Sequence, residues 1–188
     1  MYKWYCLLTG LTLLFFITKE TPAHPHMFID VSLKYILDDT GVSGMYTYWN
    51  IDEMNSAQII DYYDSNKNGI FEKQELIQIL KIALQTIQNM TTISWGIHFY
   101  SIERVEKFNA VIKNKTNVVY SFFIPCTIPL DEIPDKKVTA YFDDPTMYVA
   151  FTLKKDLIQV SSHKTITGKI SFGKIDYIET VILHLQRN

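Results

Sequence analysis

The twelve residues from Asp64 to Glu75, Asp-Ser-Asn-Lys-Asn-Gly-Ile-Phe-Glu-Lys-Gln-Glu, constrain this chain more than any other stretch. They match a calcium loop of the EF-hand type, which is held between two helices. Oxygen-bearing side chains fall at loop positions one, three and five: Asp64, Asn66 and Asn68. Gly69 stands where the chain must turn sharply. Ile70 contributes only its backbone carbonyl, so its apolar side chain is no objection. Glu72 can act through water, and Glu75 closes the loop with two carboxylate oxygens. The calcium set expected from the spacing is therefore Asp64, Asn66, Asn68, Ile70 and Glu75.

The flanks carry the helices such a loop needs. Met54, Ala57, Ile60 and Tyr63 recur at helical spacing before it, and Leu76, Ile77, Leu80, Ala83, Leu84 and Ile87 after it. This predicts a helix-loop-helix over about residues 52–88. The rest reads as strand. Met27 to Leu37 alternates, Asp38-Asp39-Thr40-Gly41 is a turn, and Val42 to Trp49 returns as the second arm of a hairpin. From Ser94 onward, β-branched and aromatic runs predict strands at Ile97 to Arg104, Lys107 to Lys113, Asn117 to Phe123 and Lys137 to Phe142. Further runs follow at Thr146 to Leu153, Thr165 to Ser171 and Tyr177 to Gln186. Asp143-Asp144-Pro145 and Gly168 are among the turn signals between them. Met147, Val149 and Phe151 are expected to share the buried face of one strand. The expected fold is mainly β: an antiparallel β-sandwich or barrel, with the EF-hand-like unit inserted after the first hairpin.

The start of the chain reads as a secretory signal. A short basic segment, Met1 to Lys3, precedes an apolar run from Trp4 to Thr18, and Thr21-Pro22-Ala23 resembles a cleavage site. The run is too short for a membrane span, which takes about 20 apolar residues. Residues 1–23 are thus expected to be removed, the alternative being an uncleaved N-terminal anchor, leaving residues 24–188 as one exported β domain without a membrane span. Only Cys126 then survives, so no intrachain disulfide can form. The 18 basic and 20 acidic residues give a net charge of −2, which does not suit a nucleic-acid binder. No nucleophile–base motif, phosphate-cradling glycine loop or zinc-hydrolase pattern is present, so an enzyme is not expected.

A second candidate site opens the mature chain: His24-Pro25-His26-Met27-Phe28-Ile29-Asp30. In an extended chain His24 and His26 share a face, and neutral imidazole is a common transition-metal ligand. Cleavage before His24 would add a free α-amine beside its imidazole, a donor set suited to copper, nickel or zinc. Pro25 has no amide hydrogen, which excludes the chelate that needs deprotonated amides at the second and third residues. The competing reading makes both histidines part of a polar tail at the head of a strand. His98 lies in an apolar stretch and reads as a hydrogen-bonded structural histidine. His163 and His184 are single, and Cys126 reads as a small buried residue.

The His-Pro-His-Met-Phe-Ile-Asp motif after a signal peptide resembles a bacterial family of periplasmic proteins of unassigned function. These are described as periplasmic components of an uncharacterised ABC-type transport system. Trp49-Asn50-Ile51-Asp52-Glu53, leading into the acidic loop, and Tyr141-Phe142-Asp143-Asp144-Pro145-Thr146-Met147 through Phe151 carry the same resemblance. It implies a soluble periplasmic protein associated with nickel/cobalt/zinc-type permeases, and hence an inner-membrane metal permease as partner. His24 and His26 carry over as metal positions; Asp52, Glu53 and Asp144 carry over without a role. For Asp52 and Glu53 the plain alternative is charge at a helix N-terminus, and for Asp144 a turn between strands. Two functions follow. One is a periplasmic metal-binding accessory protein that also binds calcium. The other is a calcium-binding structural or interaction module in which the histidines are incidental.

Overall fold

The period-two pattern of the first strand is realised directly. In the computed structural model, which describes residues 25–188, strand β1 (Met27–Leu37) buries Ile29, Val31, Leu33, Tyr35 and Leu37. Its even positions face outward, as one-sided burial requires. Asp38 Oδ1 accepts hydrogen bonds from the Thr40 N–H, the Thr40 hydroxyl and the Gly41 N–H. That turn returns the chain as β2 (Gly41–Ile51), antiparallel to β1.

Helices α1 (Glu53–Tyr63) and α2 (Lys73–Met90) follow. The remaining strands are β3 (Thr91–Trp95), β4 (His98–Phe99), β5 (Glu106–Lys113), β6 (Asn117–Ile124) and β7 (Ile128–Pro129). After them come β8 (Lys137–Phe142), β9 (Val149–Leu153), β10 (Gln159–Val160), β11 (Ile166–Ile175) and β12 (Ile178–Arg187). They form two sheets. The first runs β10-β1-β2-β6-β5, with β9 also on β1 and β7 also on β2; the second runs β11-β12-β8-β3-β4. The protein is mainly β and sandwich-like, as its sequence pattern indicates.

One aromatic cluster joins the sheets. Trp49 of β2 lies 5.4 Å from Phe122 of β6, 6.3 Å from Phe142 of β8 and 5.4 Å from Phe151 of β9, measured between ring centroids. The Phe122 and Phe142 contacts are edge-on, the arrangement the ring quadrupole favours. Phe142 belongs to the second sheet and the other three to the first, so the cluster marks where the inner faces meet. The helices are the crossover between sheets, linking β2 to β3. Ser56 of α1 donates to the Ile51 carbonyl and accepts from the Val118 N–H, fixing the helix to β2 and β6. Phe71 and, on α2, Ile79, Ala83 and Ile87 join the same core as the strands.

Four expectations need correction. The first sheet is not wholly antiparallel: β9 and β10 both run parallel to β1. The chain reaches β9 by crossing from β8 in the other sheet, and only a tight hairpin would force the antiparallel direction. The strand expected from Ile97 to Arg104 shrinks to His98–Phe99, while β3 starts at Thr91, directly after α2 with no turn residue to announce it. Met147 is half exposed at φ +57°, and the strand begins only at Val149. Gly168 is no turn but a point of close approach inside β11. A Cβ there would lie 2.8 Å from both Leu183 of β12 and Val160 of β10, where the edges of the two sheets meet.

Among the described residues, no helix is long and apolar enough to cross a membrane. The aromatic cluster makes a direct prediction about stability. Trp49→Ala should cost about 3–5 kcal/mol, read as a lower midpoint in urea unfolding, whereas Tyr62→Ala at an exposed position should change it little.

Candidate metal centres

The end of β2 delivers Asp52 to the start of α1, where its carboxylate binds two elements at once. Oδ1 accepts from the Asn55 N–H at 3.0 Å, an N-cap bond. Oδ2 accepts from the Phe28 N–H of β1 at 2.8 Å and from Asn55 Nδ2 at 2.9 Å. The same Asn55 amide donates to the His26 carbonyl at 2.8 Å, and the His26 N–H donates to the Tyr148 carbonyl at 2.8 Å. The backbone of His26 is therefore held from both sides. Its imidazole is exposed and rests against the Tyr148 ring, with centroids 5.3 Å apart. His24 and the expected signal segment, residues 1–23, lie outside the described residues.

Asp144 and Asp30 are both engaged elsewhere. Asp144 is almost fully buried and accepts from the Thr146 N–H and hydroxyl, the Tyr148 N–H and the Val149 N–H. It staples the turn into β9, as the plain reading of Asp143-Asp144-Pro145 has it. Asp30 pairs with Lys154 at 2.8 Å. The other histidines stand apart. His163 contacts the Thr165 hydroxyl at 3.2 Å and Asp39 at 3.7 Å. His184 Nε2 is 2.7 Å from the Ser171 hydroxyl. His98 is exposed and stacks on Trp95, 5.8 Å between centroids, rather than being a hydrogen-bonded core residue. Cys126 is fully buried, and burial pushes its thiol up to about 12. Among the described residues, no three His, Cys, Asp or Glu side chains come together closely enough to hold a metal.

The loop expected to bind calcium, Asp64–Glu75, begins where α1 ends. The Asp64 N–H closes the last turn on the Ile60 carbonyl, and the side chain turns into the loop. Its Oδ1 accepts from the Asn68 N–H at 3.1 Å and its Oδ2 from the Gly69 N–H at 2.8 Å. Asn66 Oδ1 accepts from the Asn68 N–H, and Asn68 Oδ1 from the Ile70 N–H. Asn68 Nδ2 donates to Glu72 at 3.1 Å. Gly69 has φ +80° with nothing within 4 Å of a notional Cβ, so its need is conformational rather than spatial.

Across the loop, Glu75 anchors the start of α2. Its Oε2 accepts from the Glu72 N–H at 2.9 Å, and its Oε1 from both the Ser65 N–H at 2.9 Å and the Ser65 hydroxyl at 2.7 Å. Asp64 and Glu75 are both largely buried. The donor set fits calcium chemically: two carboxylates, two amide oxygens and a free backbone carbonyl. Each oxygen of Asp64, Asn66 and Asn68 keeps a lone pair beyond its hydrogen bonds within the loop. Glu75 Oε1 already takes two donors, so bidentate ligation requires Ser65 to let go. That competition is not legible from the loop pattern, because position two of the loop carries no ligand.

The chain belongs to the family described as "Protein of unknown function (DUF1007)", whose model matches residues 9–170. It is also similar to an uncharacterized protein of Haemophilus influenzae. The two are 27% identical over 184 residues, a span covering 93% of this chain and 83% of the relative.

Four of these carboxyl groups are held below their ordinary range. For Asp52, Asp144 and Asp38, burial alone would raise the value, but accepted hydrogen bonds outweigh it: Phe28 and Asn55 for the first, Thr146 for the second, Thr40 for the third. For Glu75 the Glu72 N–H and then the Ser65 hydroxyl lower it. A carboxyl with a depressed folded value stabilises the fold above its unfolded value, about 4, and loses that contribution as pH falls through the folded value. Urea midpoints should therefore hold near neutrality and fall below about pH 4. Asp144→Asn should lower the neutral midpoint and flatten that acid dependence.

Proposed function

We propose that this chain is an exported, periplasmic metal-binding accessory protein for a transition-metal transport system of the nickel/cobalt/zinc type, and that it also binds calcium through Asp64–Glu75. The observation that carries the reading is the setting of His26. Its backbone is pinned by Asn55 and Tyr148 while its imidazole stays exposed at the head of β1. A pinned ligand loses little entropy on binding an ion. In this reading His24 and His26 take zinc, nickel or copper, helped by the α-amine that cleavage before His24 would free, and an inner-membrane permease is the partner. The resemblance of the His-Pro-His motif to periplasmic transport components supports it. The calcium loop would stiffen the connection between the sheets, since Phe71 and α2 belong to the common core.

The test compares the chain starting at His24 with one bearing an extra residue before it. Blocking the amine should weaken copper or nickel binding, and His24→Ala with His26→Ala should abolish tight binding while leaving calcium binding intact. Binding by amine and imidazole requires both to lose protons, so affinity should fall as pH drops below about 8 and more steeply below about 6.5.

A second reading, a calcium-binding structural module without transition-metal function, is favoured by one observation. No described His, Cys, Asp or Glu pair joins His26 to make a group of three. Unchanged transition-metal affinity in the double variant would leave that reading standing.

The loop has its own prediction, read by calorimetry. Calcium should bind with a Kd on the order of 10⁻⁵–10⁻³ M, because only Asp64 and Glu75 bring charge to the inner shell. Glu75→Gln should abolish measurable binding. Ser65→Ala should tighten it about three- to tenfold by removing one of the two donors on Glu75 Oε1. No heat with millimolar calcium would show that the loop keeps its shape without its ion.

A further inference from the structure

Between β9 of the first sheet and the ends of β8 and β12 in the second lies a slot of ≈ 280 Å³. Its walls are apolar: Phe142, Val149, Phe151 and Leu153. Three carboxylates border it, Asp143, Asp144 and Glu179, and among the described residues no Lys, Arg or His lines it. The three acids are not equivalent. Glu179 is paired with Lys155 at 2.7 Å. Asp144 spends its oxygens on the turn from Thr146 to Val149. Asp143 uses its N–H on the Met90 carbonyl, and its carboxylate forms no hydrogen bond or ion pair among the described residues. The slot therefore presents one uncompensated carboxylate over apolar walls.

We infer that this slot binds a primary alkylammonium group, with the alkyl stem between Phe151 and Leu153 and the ammonium against Asp143. Apolar walls with few polar groups at fixed points define a small-molecule site, and the volume suits a short chain, near the low end of about 300–1,000 Å³ for ligand pockets. The Phe142 and Phe151 rings add attraction for a cation. A divalent metal fits less well, since the acids do not converge as a ligand group. An anionic or neutral occupant would leave Asp143 unanswered in a partly desolvated setting. The slot lies apart from the Asp64–Glu75 loop, Pro25 beside His26 forms part of its rim, and the inference does not depend on the metal reading of either site.

The experiment is a nuclear magnetic resonance titration of the isotope-labelled mature chain with pentylammonium and with 1-pentanol. The ammonium should give saturable shifts centred on Val149, Phe151, Leu153 and Ile178, and bind at least about tenfold more tightly than the alcohol. Asp143→Asn, at a position outside the Asp144 turn bonds, should keep the spectrum of the folded protein and erase that preference. Cadaverine and N-acetyl-lysine amide then distinguish a free diamine from a lysine side chain as the source. Equal binding of ammonium and alcohol, an unchanged preference in Asp143→Asn, or shifts absent from the slot would each overturn the inference.

Discussion

The Asp52 carboxylate is the constraint on which both candidate sites depend. One side chain caps α1 and binds the Phe28 N–H of β1. Through Asn55 the same knot reaches the His26 carbonyl. The head of the first strand and the start of the first helix are thereby fixed to each other. α1 in turn carries Asp64, the first residue of the calcium loop, at its far end. Without this carboxylate, the Phe28 N–H and the first turn of α1 would lose their partners together. Its role as a cap explains Asp52 without assigning it any ion.

The Asp64–Glu75 loop is tied to stability through the core rather than through its surface. Phe71, within the loop, is buried in the cluster that includes Ile79, Ala83 and Ile87 of α2 and the inner faces of both sheets. An ion that binds only the folded loop stabilises the whole domain by mass action. Ser65 works against this by occupying a Glu75 oxygen. The loop is thus held in shape by its own hydrogen bonds, and those from Ser65 compete with an ion for Glu75.

The sequence made much of this legible, and the misses have physical causes. The alternation of β1 was readable because it buries one face, and one-sided burial writes its period into the chain. The spacing around Asp64–Glu75 located both helices, but α1 buries Asn55 and Ser56 while Met54 and Ala57 are exposed, so its apolar period did not mark its buried face. β3 was obscured because α2 runs into it with no glycine or proline between Met90 and Thr91. Met147 looked like a strand residue from its apolar character, but the Asp144 turn bonds set its backbone instead. Gly168 looked like a turn because glycine serves two purposes, and here it makes room between sheet edges. The parallel pairing of β9 and β10 with β1 depends on a crossover between sheets, which no local pattern records. At the sites, the helix-loop-helix that carries Asp64–Glu75 was readable from spacing, whereas the hold of Ser65 on Glu75 and of Asn55 on His26 arises only from tertiary contact.

The proposed function rests on one processed end and on what it carries. The most direct test is elemental analysis of the untagged protein purified from its native compartment, combined with determination of its first residue. The account predicts a chain beginning at His24 that carries close to one equivalent of zinc, nickel or copper, apart from any calcium. A chain beginning elsewhere, or one beginning at His24 and free of all three metals after purification without chelators, would contradict it.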